Sequence, residues 1–457
     1  MKSFLTQLID NKNIAIVGFG REGQSTYLLI RKYFPHKAIT IIDNNENVEH
    51  NDLVKNDENI NFMTGKNCMQ QIDNYDVAIK TPGISVKQFP KNMKRVFITS
   101  QTDIFLSKYA SQTIGITGTK GKSTTSSLIY HIFKTASTPA LLVGNIGIPP
   151  FDCVDNITPE TKIVMELSSH QLQFVKHSPH IAILLNLFEE HLDHYYSFLE
   201  YQQSKFNISR FQHTADFFIY NIDNECIIEL LANEISLSSN ALSFSMNNTF
   251  NSDIQLKDDN IIYKGNILYH ISAMQHLKGA HNTYNIMAAA TACYLSCIGA
   301  EKIREGIKTF KGLEHRIELV GTYNGIVWYN DSISTIPQAT IEAVKTLKDV
   351  NTLILGGFDR GIDYSPLYAF LPQSGIKNII WVGKAGKRMS NEFDNSAFNN
   401  YHLDSYVDIV KLCSEITGKN KICLLSPAAA SYDNFKNFEE RGNVFKENIK
   451  RLSEKHA

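Results

Sequence analysis

The sequence carries no excess of either charge: 45 Lys and Arg stand against 46 Asp and Glu in 457 residues. With that balance nothing points to a basic nucleic-acid surface or an acidic tail. Cysteine is sparse and unpaired. Seven residues, an odd number with no Cys-x-x-Cys spacing, exclude a disulfide framework and a zinc site of that kind. Long apolar runs are missing as well: the longest, IAILLNLF from Ile181, is strand-length and far short of a membrane span. The opening MKSFLTQLIDNKN lacks the apolar core of a secretion signal. No repeat of fixed period and no low-complexity tract occurs. The profile is that of a soluble cytoplasmic protein.

Hydrophobic residues make up 43%, enough for several buried cores, and the length suggests about three domains. Short β-rich runs alternate with helical stretches, which predicts an α/β protein with parallel sheets built from βαβ units. The first unit opens with NIAIVGFGREGQSTYLLIRKYF, a strand, a glycine turn and a helix. The second starts near Thr113 with TIGITG, and the third follows FKGLEHRIELVG, with strands in IVWYND, NTLILGGFD, IKNIIWVG and KICLLSPAAA. Boundaries are expected near 106 and 312, giving units 1–106, 107–312 and 313–457. The polar stretch from Asn240 to Ile271 reads as a small antiparallel addition.

Two glycine turns carry the first chemical signals. Gly18, Gly20 and Gly23 form Gly-x-Gly-x-x-Gly between a strand and a helix, and Asp43 ends the next strand. Amide groups at the helix start favour a diphosphate, and the carboxylate can hold a ribose hydroxyl. Taken alone this suggests NAD; a tight turn without ligand, or another nucleotide, suits the geometry equally. The second turn, GITGTKGKSTTSS, is more specific. Only two residues separate Gly118 from Gly121-Lys122-Ser123, where the common phosphate loop has four. Even so, Gly118, Thr119, Lys120 and Gly121 can curl their amides toward phosphate oxygens, Lys122 can neutralise the β/γ-phosphates, and Ser123 or Thr124 can hold Mg²⁺. An empty loop has no need of Lys-Ser-Thr at a helix start.

Carboxylates and imidazoles follow at later strand ends: Glu166 in MELSSHQL, then Glu189, Glu190, His191, Asp193 and His194 in LNLFEEHLDHYYSF. Ligands collect at the carboxyl ends of strands in open α/β sheets, so these are candidate Mg²⁺ ligands. A solvated acidic loop is the plainer alternative. The order of residues does not fit a zinc hydrolase, and Ser169 beside His170 makes no dyad. Lys205, on the helix predicted over FLEYQQSKFNISRF, reads as an ordinary surface lysine.

The order GxxGKST, ELSS-x-QL, LN…EHLDHY and a lysine on the next helix resembles the Mur ligases of peptidoglycan synthesis. GAHNTYN, GLEHRIE, NDS and LLSPAAASYDNFKNFEERGNVF extend the resemblance over nearly the whole chain, the last in the manner of the glutamate-adding branch. The resemblance implies a Rossmann-like first domain binding UDP rather than NAD, a central P-loop ATPase-like sheet binding ATP and two Mg²⁺, and a Rossmann-like third domain bringing the amino acid. It implies ATP-dependent joining of D-glutamate to UDP-N-acetylmuramoyl-L-alanine through an acyl-phosphate, by a monomer with no nucleic-acid or membrane partner. Residue by residue, Lys122 matches a phosphate contact, and Ser123 or Thr124, Glu166 and His191 match metal ligands. Lys205 matches a lysine that is carbamylated, a change that turns a cation into an anionic oxygen ligand. Asn282, Asn285, Arg316 and Asp331 match ATP contacts. Asn145 joins Gly18, Gly20, Gly23 and Asp43 on the UDP-linked substrate. Thr335, Ser431, Tyr432 and Phe438 match the glutamate pocket.

The chain departs from the family pattern at Ile333, where a lysine is usual, and at Arg360, where another lysine is usual; Tyr432 replaces an aliphatic residue. Arg360 keeps the charge but presents a planar fork. These positions leave open the addition of L-glutamate by a branch of the same family. A folylpolyglutamate-type synthetase has no need of the first unit. An NAD-dependent dehydrogenase leaves the Lys122 loop unexplained, and a non-catalytic nucleotide-binding protein leaves the metal constellation unexplained.

Overall fold

The alternation of β-rich and helical stretches is realised as three separate sheets in the computed structural model, which describes all residues except 193, 234–236, 248–250, 274–276, 278, 394–395 and 455–457. The chain divides into two compact units, Met1–Phe310 and Lys311–Ala457. The first unit holds two of the sheets. One has strands β1 (Ile14–Val17), β2 (Ile39–Asp43), β3 (Ile60–Thr64), β4 (Val77–Lys80) and β5 (Phe97–Thr99) in the order β3-β2-β1-β4-β5, all parallel. The order reverses beside β1, so the glycine turn after β1 lies at the switch point where a crevice opens.

The other sheet has nine strands: β6 (Thr113–Thr117), β7 (Ala140–Gly144), β8 (Lys162–Glu166), β9 (Ile181–Leu184), β10 (Phe217–Asn221), β11 (Asn240–Ser245), β12 (Ile254–Lys257), β13 (Asn260–Tyr263) and β14 (Asn266–His270). Their order is β14-β13-β12-β11-β10-β9-β6-β8-β7. The strands beside β6 are buried on both faces, as the runs IVM and IAIL require. Helix Lys122–Thr135 places Leu128, Ile129, Ile132 and Phe133 in the core on one side. One expectation needs correction. Asn240–Ile271 is not wholly antiparallel, since β11 pairs parallel with β10 and β12 pairs parallel with β11. Helix Glu225–Ala232 carries the chain back before β11, and such a crossover yields parallel pairing. Antiparallel pairing begins only at β12 with β13.

The second unit contains β15 (Glu318–Tyr323), β16 (Ile326–Asn330), β17 (Val350–Gly356), β18 (Asn378–Val382), β19 (Asn399–His402) and β20 (Ile422–Leu425), ordered β15-β16-β20-β17-β18-β19. Only β15 is antiparallel to its neighbour. Both edges, β15 and β19, escape a sequence reading because they are polar and lack a buried run. Among the described residues no helix is long and apolar enough to cross a membrane.

The first glycine turn shows why its spacing is needed. Gly18 has φ +90°, and a Cβ there would lie 2.1 Å from Thr81 Oγ1; at Gly23 it would lie 2.2 Å from the Gly18 carbonyl oxygen. Gly20 has open space. Gly23→Ala is therefore expected to cost about 1–3 kcal/mol by overpacking, and Gly20→Ala well under half of that. Urea unfolding of both variants checks the contrast, and equal losses would remove the packing account.

Candidate active site

In the first unit the turn Gly118–Gly121 joins β6 to helix Lys122–Thr135. Its shape is held from outside by Asn186. The Thr119 N–H donates to the Asn186 carbonyl (2.9 Å), the Lys120 N–H to Asn186 Oδ1 (2.8 Å), and Asn186 Nδ2 returns a bond to the Lys120 carbonyl (3.0 Å). Asn186 was not picked out as a site residue, although it stands in the LN of LNLFEEHLDHY. A Cβ on Gly121 would lie 2.4 Å from Asn285 Oδ1. Asn285 in turn donates to Asn282 (3.2 Å), so the start of helix Ala280–Leu295 abuts the loop. Lys122 Nζ donates to the Gly118 and Thr119 carbonyls, each at 2.9 Å. Ser123 and Thr124 form the first turn of the helix and are half-buried.

Lys205 corrects the surface reading. Its side chain is 2% exposed, and Nζ donates to the same Gly118 carbonyl at 2.9 Å. Helix Phe198–Arg210, capped by Ser197, turns Tyr201, Ser204, Lys205 and Ile208 inward, so the lysine shares the buried stripe that spacing alone hid among polar neighbours. Burial, reinforced by the nearby Lys122 charge, pushes its amine well below the usual lysine range. Tyr201, on the same helix, bonds Thr119 through its hydroxyl at 2.8 Å.

Glu166 ends β8 fully buried, with Oε1 accepting from Asn145 Nδ2 at 2.8 Å. Glu190 pairs with Lys120 (2.8 Å), and His191 Nε2 lies 3.7 Å from Glu190. His191 sits in the left-handed region at φ +60°, a conformation that costs energy and collects at functional sites. Its ring approaches His170, which also meets His194 and Tyr195. Burial and these imidazoles push His170 down to about 3. Glu189 is exposed, and Asp193 lies outside the described residues. Among the described residues no three carboxylates, imidazoles or thiolates converge on one point. Mg²⁺ needs no such cage, because it binds one or two carboxylates together with substrate phosphates; Glu166 near Ser126 and the loop fits that donor set.

At the first glycine turn Asp43 uses both carboxylate oxygens on backbone amides, Phe19 N–H (2.6 Å) and Asn45 N–H (2.8 Å). Arg21 reaches the Asn145 carbonyl at 3.4 Å.

The second unit gathers its own set. Arg360, exposed, donates to the Thr335 carbonyl (2.8 Å). Phe358 bridges to Ala430, next to buried Ser431, and its ring meets that of exposed Tyr432. The residue missed in the sequence is Arg441, of FEERG. It is 1% exposed and donates to the Ser332 hydroxyl and carbonyl and to the Ala429 and Ala430 carbonyls, joining NDS to SPAAAS. Ser332 also donates to the Phe438 carbonyl, at 2.8 Å. Asp331 accepts from Ser426 (2.6 Å) and the Ile317 N–H (3.1 Å). The turn presenting exposed Arg316 is strained, with φ +62° at His315 and +45° at Ile317. A Cβ on Gly442 would lie 2.2 Å from His315 Nδ1, so helix Phe438–Glu454 packs directly on that turn.

A family model described as the Mur ligase middle domain matches residues 116–293. The chain is 32% identical to a protein of Acetivibrio thermocellus named UDP-N-acetylmuramoylalanine–D-glutamate ligase, over 96% of each chain. The chain belongs to the Mur ligase family. A Clostridioides difficile protein of the same name is also 32% identical, over 97% of this chain and 99% of its own. Among solved structures, the Thermotoga maritima UDP-N-acetylmuramate-alanine ligase matches 97% of this chain and 100% of its own with TM-score 0.56 at 17% identity. The Thermotoga maritima MurF ligase in complex with ADP matches 83% and 89% with TM-score 0.55 at 15% identity. These two likenesses speak for the fold, three-part α/β with parallel sheets.

Within this Mur ligase the second unit carries a titration signature. Burial pushes Asp331 up to about 6, offset in part by hydrogen bonds from Ser334, Ser426 and the Ile317 N–H. An acid whose pKa is higher folded than unfolded binds more protons in the folded state, so its contribution falls as pH rises from about 4 to about 6. Asp331→Asn should remove that slope. Its stability relative to wild type is expected to rise across the window by up to about 3 kcal/mol, read from denaturant midpoints at pH 4 to 7. A flat difference would refute the shift.

Proposed function

We propose that this chain joins D-glutamate to UDP-N-acetylmuramoyl-L-alanine at the expense of ATP, working in the cytoplasm as a monomer. The full-length likeness to relatives named for that reaction carries the reading. The work is divided as 1–106 for the UDP-linked substrate, 107–312 for ATP and 313–457 for glutamate. The γ-phosphoryl group passes from ATP to a carboxylate oxygen of the substrate, releasing ADP and leaving an acyl-phosphate. The glutamate amine then attacks the acyl carbon; phosphate leaves as the amide forms and the amine gives up a proton.

The first step brings two anions together, so fixed positive charge is its main need. Lys122 and the amides of Gly118 and Gly121 supply it, the Thr119 and Lys120 amides being held by Asn186, with Asn282 and Asn285 beside the loop for the nucleotide. Ser123 or Thr124, Glu166, His191 and an oxygen donor on Lys205 would hold two Mg²⁺. Bound there, the ions offset phosphate charge. Lys205 suits carbamylation because burial holds its amine well below the usual lysine range, which favours the neutral form, and only the neutral amine adds to CO₂, giving a carbamate and a proton. Gly18, Gly20, Gly23, Asp43 and Asn145 receive the UDP-linked substrate. Arg316 and Asp331 are assigned to ATP. Thr335, Arg360, Ser431, Tyr432 and Phe438 form the glutamate pocket, in which Arg360 can hold a carboxylate with two parallel bonds.

Four measurements test this. ADP release with UDP-N-acetylmuramoyl-L-alanine should show a larger kcat/KM for D- than for L-glutamate. The reverse order would assign the chain to L-glutamate, the outcome that Ile333 and Arg360 leave open, and Arg360→Ala should raise the KM for glutamate far more than that for ATP. Lys122→Ala should lose at least about 100-fold in kcat with the fold intact. Lys205→Ala should be inactive and partly rescued by acetate; full activity would return Lys205 to a structural role.

A further inference from the structure

We propose that Lys80 is a phosphate-binding residue of the first glycine turn, its ammonium taking an anionic oxygen of a nucleoside diphosphate bound there. The proposal rests on the reading of that turn as the UDP site. Lys80 is the last residue of β4 and lies in register beside Val17, the residue before Gly18. Its side chain is 2% exposed, yet Nζ makes a single hydrogen bond, to the Thr81 carbonyl at 3.1 Å. Thr81 is the residue whose hydroxyl fills the space where a Gly18 side chain would go. The ammonium is thereby held against the turn with two of its three donors unused. A buried charge left so is costly unless something completes it.

The adjacent carboxyl group does not complete it by contact. Glu22, in the first turn of helix Arg21–Tyr33, attracts Lys80 at a distance, but its Oε1 accepts from Gln171 at 2.7 Å. Its Oε2 is buried without a partner. The Phe174 ring, its centroid 5.7 Å from Nζ, offers the ammonium its face but no lone pair. Arg21 at the same helix start adds a second cation beside Asn145. Amides at a helix start, one exposed guanidinium and one buried, under-used ammonium together suit a group with several anionic oxygens, and an ammonium serves phosphate as a compact point charge. Burial lowers Lys80 to about 8, with Glu22 opposing the shift, so the amine still carries charge at neutral pH.

The rival account is that Lys80 exists only to offset Glu22. Calorimetric titration of the full chain with UDP and with uridine separates the two. Lys80→Gln and Lys80→Met should weaken UDP at least tenfold and leave uridine within twofold, while Lys80→Arg falls between. Lys80→Met combined with Glu22→Gln should bind UDP as weakly as Lys80→Met alone. Restoration of UDP affinity in the double variant, or unchanged affinity in all of the single variants, overturns the proposal. Lys80→Gln keeps hydrogen-bonding capacity in the buried position, so it serves if the Met variant fails to fold. A wild-type chain that binds neither UDP nor uridine overturns instead the UDP reading on which the proposal stands.

Discussion

Two lysine amines donate to one carbonyl oxygen. Lys122 and Lys205 both reach the Gly118 carbonyl at 2.9 Å, the first from the helix that begins at the loop, the second from a helix more than eighty residues later. Burial, with the Lys122 charge close by, holds the amine of the fully enclosed Lys205 well below the usual lysine range. The loop thereby meets two identical side chains in unlike surroundings, one half-buried and one fully enclosed.

That division depends on elements far from the loop. Asn186 pins the loop backbone on three sides, Asn285 closes on Gly121, and Tyr201 ties Thr119 to the helix that bears Lys205. None of these contacts involves a charged partner, so they set geometry without disturbing the electrostatics that the lysines provide. In the second unit Arg441 plays the corresponding part. Enclosed by carbonyls and a hydroxyl rather than a carboxylate, it links the segments bearing Asp331, Ser332 and Ser431 while leaving Asp331 without a direct ion pair. Burial raises the pKa of Asp331, and its hydrogen bonds and the Arg316 charge offset that rise only in part.

The α/β class and the approximate strands were legible because alternation of buried runs with amphipathic helices is a local property of the chain. The loop Gly118–Thr124 was legible for the same reason: glycine, lysine and hydroxyl at fixed spacing carry their chemistry within one turn. The structure adds a cap that the sequence reading did not name: Ser168 and Gln171 of ELSSHQL exchange a reciprocal pair of bonds. The first glycine motif lay between these cases. Its spacing announced the turn, but the crowding of Thr81 and Ile84 against Gly18 comes from the turn that follows β4.

By itself the sequence determined the class of fold, the glycine loop at Gly118–Thr124 and, through the order of its motifs, the resemblance to a family of ligases. Only the tertiary structure decided that Lys205 is buried rather than exposed, that Arg441 is a hub, and that β11 extends the parallel sheet. The physical reason is common to all three. Burial and long-range pairing are set by which residues meet across more than a hundred positions, as Arg441 meets Ser332, or by a crossover that reverses the chain, as helix Glu225–Ala232 does. A lysine or arginine reads alike on a wet surface and in a packed interior until the neighbours that remove its water are in place.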